Sequence, residues 1–280
     1  MNARIIKTAL ERTGFAAAVV AIFTFSVFPL YWALITSWQK GSEVYTVRYL
    51  PSAISWANYR AVFIEQSFGH NLVNSALVAA GTVGVSLALS VFAAYGLGRV
   101  RFRGRMLLLF TILGASMFPQ IAVLSGLFEL IGWMGLYNRL PGLVLAYLIF
   151  TLPFSVWVLT IFMQRLPREI EEAALVDGAS PRVVVLRILV PLVRPAMVTT
   201  GLLAFIAAWN EFLFALTLTL TDRARTVPVA ISLITGASQY ELPWGRVMAA
   251  SVIVTVPLVL LVLVFQRRIV SGLILGGVKG

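Results

Sequence analysis

Acidic and histidine side chains, which carry most acid–base and metal chemistry in proteins, are few in this chain. Its 280 residues include 11 Asp and Glu, one His and no Cys. The single histidine, His70, has no Cys or acidic cluster beside it, so we interpret it as an interfacial side chain and not as a metal ligand or general base. No Ser-His-Asp set and no phosphate-cradling G-x-x-x-x-G-K-[ST] segment is found. The sequence therefore predicts no catalytic residue, no metal site and no bound cofactor.

Carboxylates occur at helical spacing in one long interval, EEAALVDGASPRVVVLRILVP, residues 171–191. A short helix with small alanines on one face and carboxylates around them can approach another surface closely, which favours docking to a cytoplasmic protein. The alternative is a connector that lies in the lipid headgroup region. Such interfacial segments favour basic and bulky apolar residues, whereas this interval begins with acidic and small ones.

Glu211 lies in a second, otherwise apolar segment, residues 195–221. A carboxylate inside a membrane helix is costly and by default faces the bundle interior or water. Its neighbour Asn210 adds polarity, and Trp209 offers a large aromatic surface. These three residues are candidates for the lining of a path or cavity inside the bundle. The alternative is a structural role in which Glu211 pairs with an arginine or with backbone groups.

The composition indicates that lipid is the solvent for most of the chain. Hydrophobic residues make up 60% and charged residues 12%, where a soluble domain has about 25% charged residues, and the mean hydropathy is +0.92. The net charge of +11 could suggest nucleic acid, but the basic residues lie between apolar runs instead of on a soluble face. Membrane lipid, and no nucleic acid, is therefore the expected surrounding.

Six segments are long enough for the about 20 helical residues that cross a bilayer. They are residues 14–38, 71–98, 106–128, 140–164, 195–221 and 247–266. The apolar run of the first is too long for a cleaved signal peptide and lacks a small-residue cleavage site, so it is predicted to be retained. The predicted fold is an all-α integral membrane protein with six transmembrane helices in a single domain, residues 1–280.

Basic residues predict the orientation of these helices. With both termini on the cytoplasmic side, 15 of the 22 Lys and Arg residues fall in the inner segments, as the positive-inside rule requires. The segment RVRFRGR, residues 99–105, contributes four arginines, which we interpret as topology determinants in contact with lipid headgroups. The segment 165–194 then becomes the longest cytoplasmic loop.

Prolines near the middle of several spans predict bent helices. Pro29, Pro119, Pro153 and Pro257 each free a backbone carbonyl, which neighbouring helices must accommodate. Ordinary packing explains any one of them; together they favour a bundle with a path or cavity inside. Met117 and Gln120, which flank Pro119, are further candidates for that path.

Capping residues divide the loop 165–194 into two predicted helices. The first begins after Leu166-Pro167, has acidic residues in its first turn, and ends at Gly178 in a left-handed conformation. Ser180 caps the second helix, which Pro191 is predicted to stop. The result is a short helix, a tight turn and a second helix.

The pattern of this loop resembles the EAA loop of ABC-importer permeases. It reads Glu172-Ala173-Ala174, then Gly178, then Ile188, then Val190-Pro191, with Val190 where the pattern has Leu. Three other segments resemble the MalG-like branch of carbohydrate-importer permeases: AWNEF at residues 208–212, ANYR at 57–60 and the ending QRRIVSGLILGGVKG at 266–280. The ending also resembles that of trehalose-transporter permeases.

The resemblance implies a type I ABC-importer permease in the bacterial inner membrane. It implies a second MalF-like permease subunit, a dimeric ABC ATPase that binds ATP and Mg, and an extracytoplasmic sugar-binding protein. It also implies that the loop couples the chain to the ATPase, through Glu171, Glu172, Ala173, Ala174, Asp177, Gly178, Ile188 and Pro191. The expected cargo is a di- or oligosaccharide such as maltose or trehalose. An ion-coupled secondary transporter, or a permease for a non-sugar solute, is the alternative.

The last five residues, Gly276 to Gly280, are predicted to be too flexible for a span. They form either a disordered end or, as the resemblance implies, a tail that reaches the ATPase dimer.

Overall fold

The computed structural model describes residues 2–51, 53–65, 67–235 and 243–277, and every regular element among them is helical. In chain order these are α1 (Asn2–Trp38), a 3-10 turn (Gly41–Tyr45), α2 (Ala57–Glu65), α3 (Phe68–Gly98), α4 (Arg105–Ala115), α5 (Gln120–Trp133), α6 (Leu140–Arg165), α7 (Glu169–Val176), α8 (Pro181–Val183), a π-helical segment (Val184–Leu189), α9 (Val190–Trp209), α10 (Leu213–Leu218), α11 (Val227–Ser232) and α12 (Trp244–Gly277). The chain divides into two compact units, residues 1–67 with 233–256 and residues 68–232 with 257–280.

Five helices among the described residues are long and apolar enough to cross a membrane. They are Glu11–Trp38, Phe68–Gly98, Leu140–Arg165, Pro181–Trp209 and Trp244–Gln266. The pair α4 and α5 provides a sixth span if the two are counted as one. The prediction of an all-α membrane protein is confirmed.

The third predicted span, residues 106–128, is not one straight helix. It divides into α4 and α5, whose axes differ by 92° across residues 116–119. Pro119 supplies no N–H and disfavours the helical conformation in Phe118 before it. Because the apolar run continues through the proline, hydropathy alone gave no sign of the bend.

The fifth predicted span, residues 195–221, differs from the structure at both ends. A continuous helix begins at Pro181, passes through Pro191 and Pro195 and ends at Trp209. Pro191 therefore does not stop the helix. The π-helical segment before it bonds the N–H of Val190 to the carbonyl of Val185, and this wider turn relaxes the clash that a proline ring makes with the carbonyl four residues earlier.

The last predicted span, residues 247–266, is part of the longer helix α12, which continues to Gly277. The basic residues after Gln266 end the apolar run but not the helix. Residues 278–280 of the predicted flexible end lie outside the described residues.

The core of the larger unit lies among α3, α6 and α9. Its buried side chains are Val91 and Ala94 of α3, Leu159 and Met163 of α6, Val185 of the π-helical segment, and Val193 and Ala196 of α9. Small residues bring these helices together: a Cβ added to Gly98 would lie 3.3 Å from the carbonyl oxygen of Thr160. Buried hydroxyl groups also bridge α3 and α6, since Ser86 Oγ donates to Ser155 Oγ at 3.2 Å. Small and hydroxyl residues are the usual means by which helices associate in lipid.

In the smaller unit, Asn58 of α2 fixes the end of α1. Its side-chain amide donates to the carbonyl oxygens of Ser37 at 2.9 Å and Gln39 at 2.8 Å. Gly245 lies so close to Asn58 that an added Cβ would be 2.6 Å from its amide nitrogen. These contacts join α1, α2 and the first turn of α12 within this unit.

Candidate functional site

Helix α7 is the short helix predicted between the fourth and fifth spans. Glu169, Glu171 and Glu172 occupy its first turn, where the helix dipole favours negative charge. At its other end Gly178 has φ 84°, its N–H donates to the carbonyl of Leu175, and the N–H of Ala179 donates to that of Ala174, both at 3.0 Å. These two bonds are a Schellman motif, so the predicted left-handed end at Gly178 is confirmed.

The two adjacent glutamates of α7 point to different surroundings. Glu171 is half-buried, and its Oε2 accepts a 2.8 Å ion-pair hydrogen bond from Nε of Arg99, at the end of α3. Its Oε1 accepts a hydrogen bond of 3.0 Å from the hydroxyl of Tyr95. Glu172 is exposed. The sequence assigned both glutamates to one docking surface, whereas Glu171 faces the membrane helices of its own chain.

An exposed apolar surface covers the other side of α7. Val176 is 88% exposed, and Leu175 and Ile170 are also exposed, as are Ala173 and Asp177. Large apolar side chains exposed in a charged, polar loop commonly mark a contact with another molecule. We call the exposed residues Ile170, Glu172, Ala173, Leu175, Val176 and Asp177 the α7 face.

The remaining residues of the predicted coupling set lie beside or beyond this face. Ala174 is a half-buried residue of α7, and Ile188 is half-buried in the π-helical segment. Pro191 is exposed in the first turn of α9. The exposed members of the predicted set are therefore Glu172, Ala173, Asp177 and Gly178, on α7 and at its end, and Pro191.

The bend between α4 and α5 exposes the path candidates of the third span. Met117 is 81% and Phe118 65% exposed, and Gln120, the first residue of α5, is exposed too. Non-helical backbone at membrane depth is tolerated where it is buried in protein or lines a water-filled cavity. The side chains of residues 117–119 are exposed in this chain and that of Ser116 is half-buried, so the chain itself does not bury this backbone.

A second interruption separates α9 from α10 and contains the other path candidates. Glu211 is 6% exposed and its carboxylate accepts hydrogen bonds from the backbone N–H groups of Phe214 and Ala215. Trp209 is 3% exposed and stacks on Phe205 with ring centroids 5.7 Å apart, so its ring is not an open platform. Asn210 is exposed.

The helices that follow the two interruptions, α5 and α10, pack against each other and against α6. The aromatic rings of Phe150 in α6 and Phe214 in α10 lie 6.3 Å apart. The two bends are therefore parts of one packed region of the larger unit.

Polar residues at the start of α3 form a clamp that the sequence prediction missed. The amide of Asn74 donates to the carbonyl oxygens of Arg223 and Arg225, both at 3.0 Å, and Asn71 donates to Arg225 at 3.1 Å. Ser75 Oγ accepts the N–H of Val227 at 2.8 Å. The i, i+3, i+4 spacing of these polar residues is visible in the sequence and indicates one polar face.

Two further residues hold the same loop or contact it. Asn138 Oδ1 accepts the N–H groups of Leu220 at 2.9 Å and Thr221 at 3.0 Å. His70 Nε2 lies 3.3 Å from the carbonyl oxygen of Arg223. Among the described residues no group of three or more Asp, Glu or His side chains could hold a metal ion.

Several helices long enough to span a membrane, one bent pair among them, and a short exposed helix between spans define a multi-pass membrane protein. Residues 86–274 match the family described as the binding-protein-dependent transport system inner membrane component. The chain belongs to this family, which places it in the inner membrane as a multi-pass protein.

Two relatives resemble the chain over almost its whole length. The trehalose transport system permease protein SugB of Mycobacterium tuberculosis is 38% identical over 97% of this chain and 99% of its own. The trehalose/maltose transport system permease protein MalG of Thermococcus litoralis is 40% identical over 97% of this chain and 98% of its own.

A solved structure has the same fold. It is the crystal structure of a bacterial ABC transporter involved in the import of the acidic polysaccharide alginate, with a TM-score of 0.77 and 24% identity over 92% of this chain and 96% of that one.

Proposed function

We propose that this chain is the permease subunit of an ABC importer for a disaccharide of the trehalose or maltose type. The observation that carries the cargo class is the end-to-end similarity to two permeases of trehalose and maltose systems. The chain supplies part of the membrane path and does not hydrolyse ATP, which is the task of the partner ATPase. It works with an extracytoplasmic binding protein and a second, MalF-like permease.

The α7 face is the proposed contact with the dimeric ATPase. It combines small Ala173 with exposed apolar Val176 and two exposed carboxylates, Glu172 and Asp177. An apolar centre with a charged rim is the composition of a protein interface. The carboxylates would pair with basic side chains of the ATPase, and the alanine would allow close approach of the two backbones.

The path is proposed to run along the two interruptions, past Met117 and Gln120 and past Asn210. Exposed side chains next to non-helical backbone within spans favour this position. Glu211 and Trp209 contribute by shaping the second interruption, because both are buried.

Reconstitution tests the cargo and the energy source together. The chain is placed in proteoliposomes with its cognate permease, ATPase and binding protein, and uptake of radiolabelled trehalose and maltose is measured. We expect uptake only with internal ATP and with the binding protein. Uptake by the chain alone, driven by a proton or sodium gradient, would instead establish a secondary transporter, and ATP-driven uptake of neither sugar would remove the cargo assignment.

A further inference from the structure

Arg99 connects the ends of three helices through one buried side chain. The side chain is 2% exposed, and its Nε donates to Glu171 at 2.8 Å. Nη1 donates to the carbonyl oxygens of Leu166 at 2.8 Å and Met163 at 3.3 Å. Nη2 donates to the carbonyl oxygen of Pro167 at 3.1 Å. Four of the five guanidinium N–H groups thus bind the end of α6, the link after it and the first turn of α7.

The groups that accept hydrogen bonds from Arg99, carbonyl oxygens at the end of α6 and the carboxylate of Glu171, favour a positive charge beside them. The last carbonyl oxygens of a helix have no intrahelical partner, and positive charge is favourable beside them. Met163 belongs to the last turn of α6, and Leu166 is the residue directly after the end of this helix. Glu171 adds a carboxylate whose side chain is only 14% exposed. Removing one partner of a buried ion pair leaves the other charge uncompensated, which is strongly unfavourable.

Two further residues of α3, Gly98 and Tyr95, support the contact of Arg99 with α6 and α7. Gly98, the residue before Arg99, has no side chain at the point where α3 approaches the carbonyl oxygen of Thr160 in α6. Tyr95, one turn earlier, donates its hydroxyl proton to the other oxygen of Glu171. The inner side of α7 is therefore bonded to the end of α3 by two side chains, and one of them, Arg99, also bonds the end of α6.

We propose that Arg99 is a positioning residue for energy coupling: it fixes α7 to α3 and α6, so that displacement of α7 moves these helices. This inference rests on the proposed function, in which the ATPase displaces α7 through the α7 face. Without Arg99, α7 keeps its packing on the π-helical segment and the hydrogen bond from Tyr95, but it loses the ion pair to the end of α3 and the link through Arg99 to the end of α6. ATP-driven movement is then taken up by local rotation of α7, and hydrolysis continues without proportionate transport.

Two neutral variants and a matched control test this role. Arg99→Gln and Glu171→Gln each remove one charge, and the double variant removes both. Arg103→Gln is the control, because Arg103 is an exposed arginine of the same short segment. Since this chain has no Cys, Glu169→Cys gives it one spin-labelling site on α7, at an exposed residue outside the α7 face.

Two measurements are made on importers of matched subunit composition. One is the mobility of the label at position 169, which needs no sugar. The other is uptake per ATP hydrolysed, with trehalose and maltose as probes. We expect a more mobile label and about tenfold lower uptake per ATP in Arg99→Gln and Glu171→Gln, with the double variant no worse than either single variant.

Each other result contradicts the proposal. The proposal is wrong if label mobility and uptake per ATP are both unchanged in the two single variants. It is also wrong if the losses of the single variants add up in the double variant, or if Arg103→Gln lowers uptake per ATP as much as Arg99→Gln does. If the Arg99→Gln chain does not assemble into the importer, the Glu171→Gln variant alone tests the proposal. Its glutamine side chain has the size of glutamate and can still accept the hydrogen bond from Tyr95. If the wild type takes up neither sugar, the proposed cargo is wrong, and the label mobility still decides the role of Arg99.

Discussion

The carboxylate of Glu211 accepts a hydrogen bond of 2.8 Å from the backbone N–H of Phe214, and its second oxygen accepts one of 3.0 Å from that of Ala215. These N–H groups belong to the first turn of α10, where no intrahelical carbonyl is available. Water, which would otherwise satisfy them, is scarce at membrane depth. Glu211 therefore holds the chain in a defined geometry where α9 ends and α10 begins.

Replacing Glu211 with Ala is expected to destabilise the protein by about 1–3 kcal/mol, because two buried N–H groups lose their acceptor. Glu211→Gln keeps one acceptor oxygen and is expected to cost less. Thermal unfolding of the detergent-solubilised chain measures both. Asn210→Ala is the control, since the exposed Asn210 side chain donates to the carbonyl oxygen of Ile206, one turn back in α9, and its Tm should stay near that of the wild type.

The Gln variant also separates the structural role of Glu211 from a role in the path. Normal uptake and an unchanged sugar preference in Glu211→Gln would remove Glu211 from the path. A fall in uptake larger than the loss of assembled importer would restore it. An unchanged Tm in Glu211→Ala would contradict the structural role.

Gly178 is expected to be intolerant of substitution because its backbone has φ 84°. An alanine there costs roughly 1–2 kcal/mol in the left-handed region, and a proline cannot adopt this φ and also removes the N–H that bonds to Leu175. Gly178→Ala should lower uptake per ATP moderately, and Gly178→Pro should uncouple hydrolysis from uptake while the chain remains in the membrane.

Gly126→Ala provides the control for the glycine variants. Gly126 lies inside α5, and an added Cβ would have no neighbour within 4 Å, so uptake per ATP should not change. ATP hydrolysis and sugar uptake are both measured on importers that contain equal amounts of this chain. Normal coupling in Gly178→Pro would show that the end of α7 need not have the Schellman geometry.

A bulky side chain at Ala173 is expected to block the ATPase contact without affecting membrane insertion. Ala173 is exposed on the α7 face, so Ala173→Trp does not disturb packing within the chain. The measurement is the amount of ATPase that co-purifies with the chain from membranes. Ala53→Trp, at an exposed position on the predicted outer side, is the control and should retain the ATPase. Full recovery of the ATPase with Ala173→Trp would exclude the α7 face as the contact.

Spans with distinct ends were predictable from sequence alone. The prediction of residues 140–164 agrees with α6 within one residue, because Leu140-Pro141 marks its beginning and Arg165 ends the apolar run. The prediction of residues 71–98 has the same end as α3, which begins three residues earlier, at Phe68. Pro119 correctly predicted a bend in the third span, but hydropathy reports the length of an apolar segment and not the direction of its axis, so the angle of 92° and the break after Trp209 were missed.

The role of Arg99 was not predictable by the same means. An arginine directly after a span satisfies the positive-inside rule whether it faces lipid headgroups or a buried acceptor. Its partner Glu171 is 72 residues away in the chain, and sequence periodicity relates only residues within one helix. The one local indication was Gly98, since a glycine at the end of an apolar span permits the close helix contact that buries the next side chain.

The clamp at the start of α3 leads to a prediction about the loop that it holds. Asn74 is 2% exposed, and its amide donates to the carbonyl oxygens of Arg223 and Arg225. Asn74→Asp has nearly the same shape but places acceptor oxygens against these carbonyls, so the loop should open. Added trypsin should then cleave after the exposed Arg223 faster in vesicles whose predicted outer side faces the solution. Asn210→Asp changes an exposed side chain that bonds to Ile206 of α9 and is not part of the clamp, so it should be cleaved at the wild-type rate. Equal rates for Asn74→Asp and wild type would show that the clamp does not hold the loop.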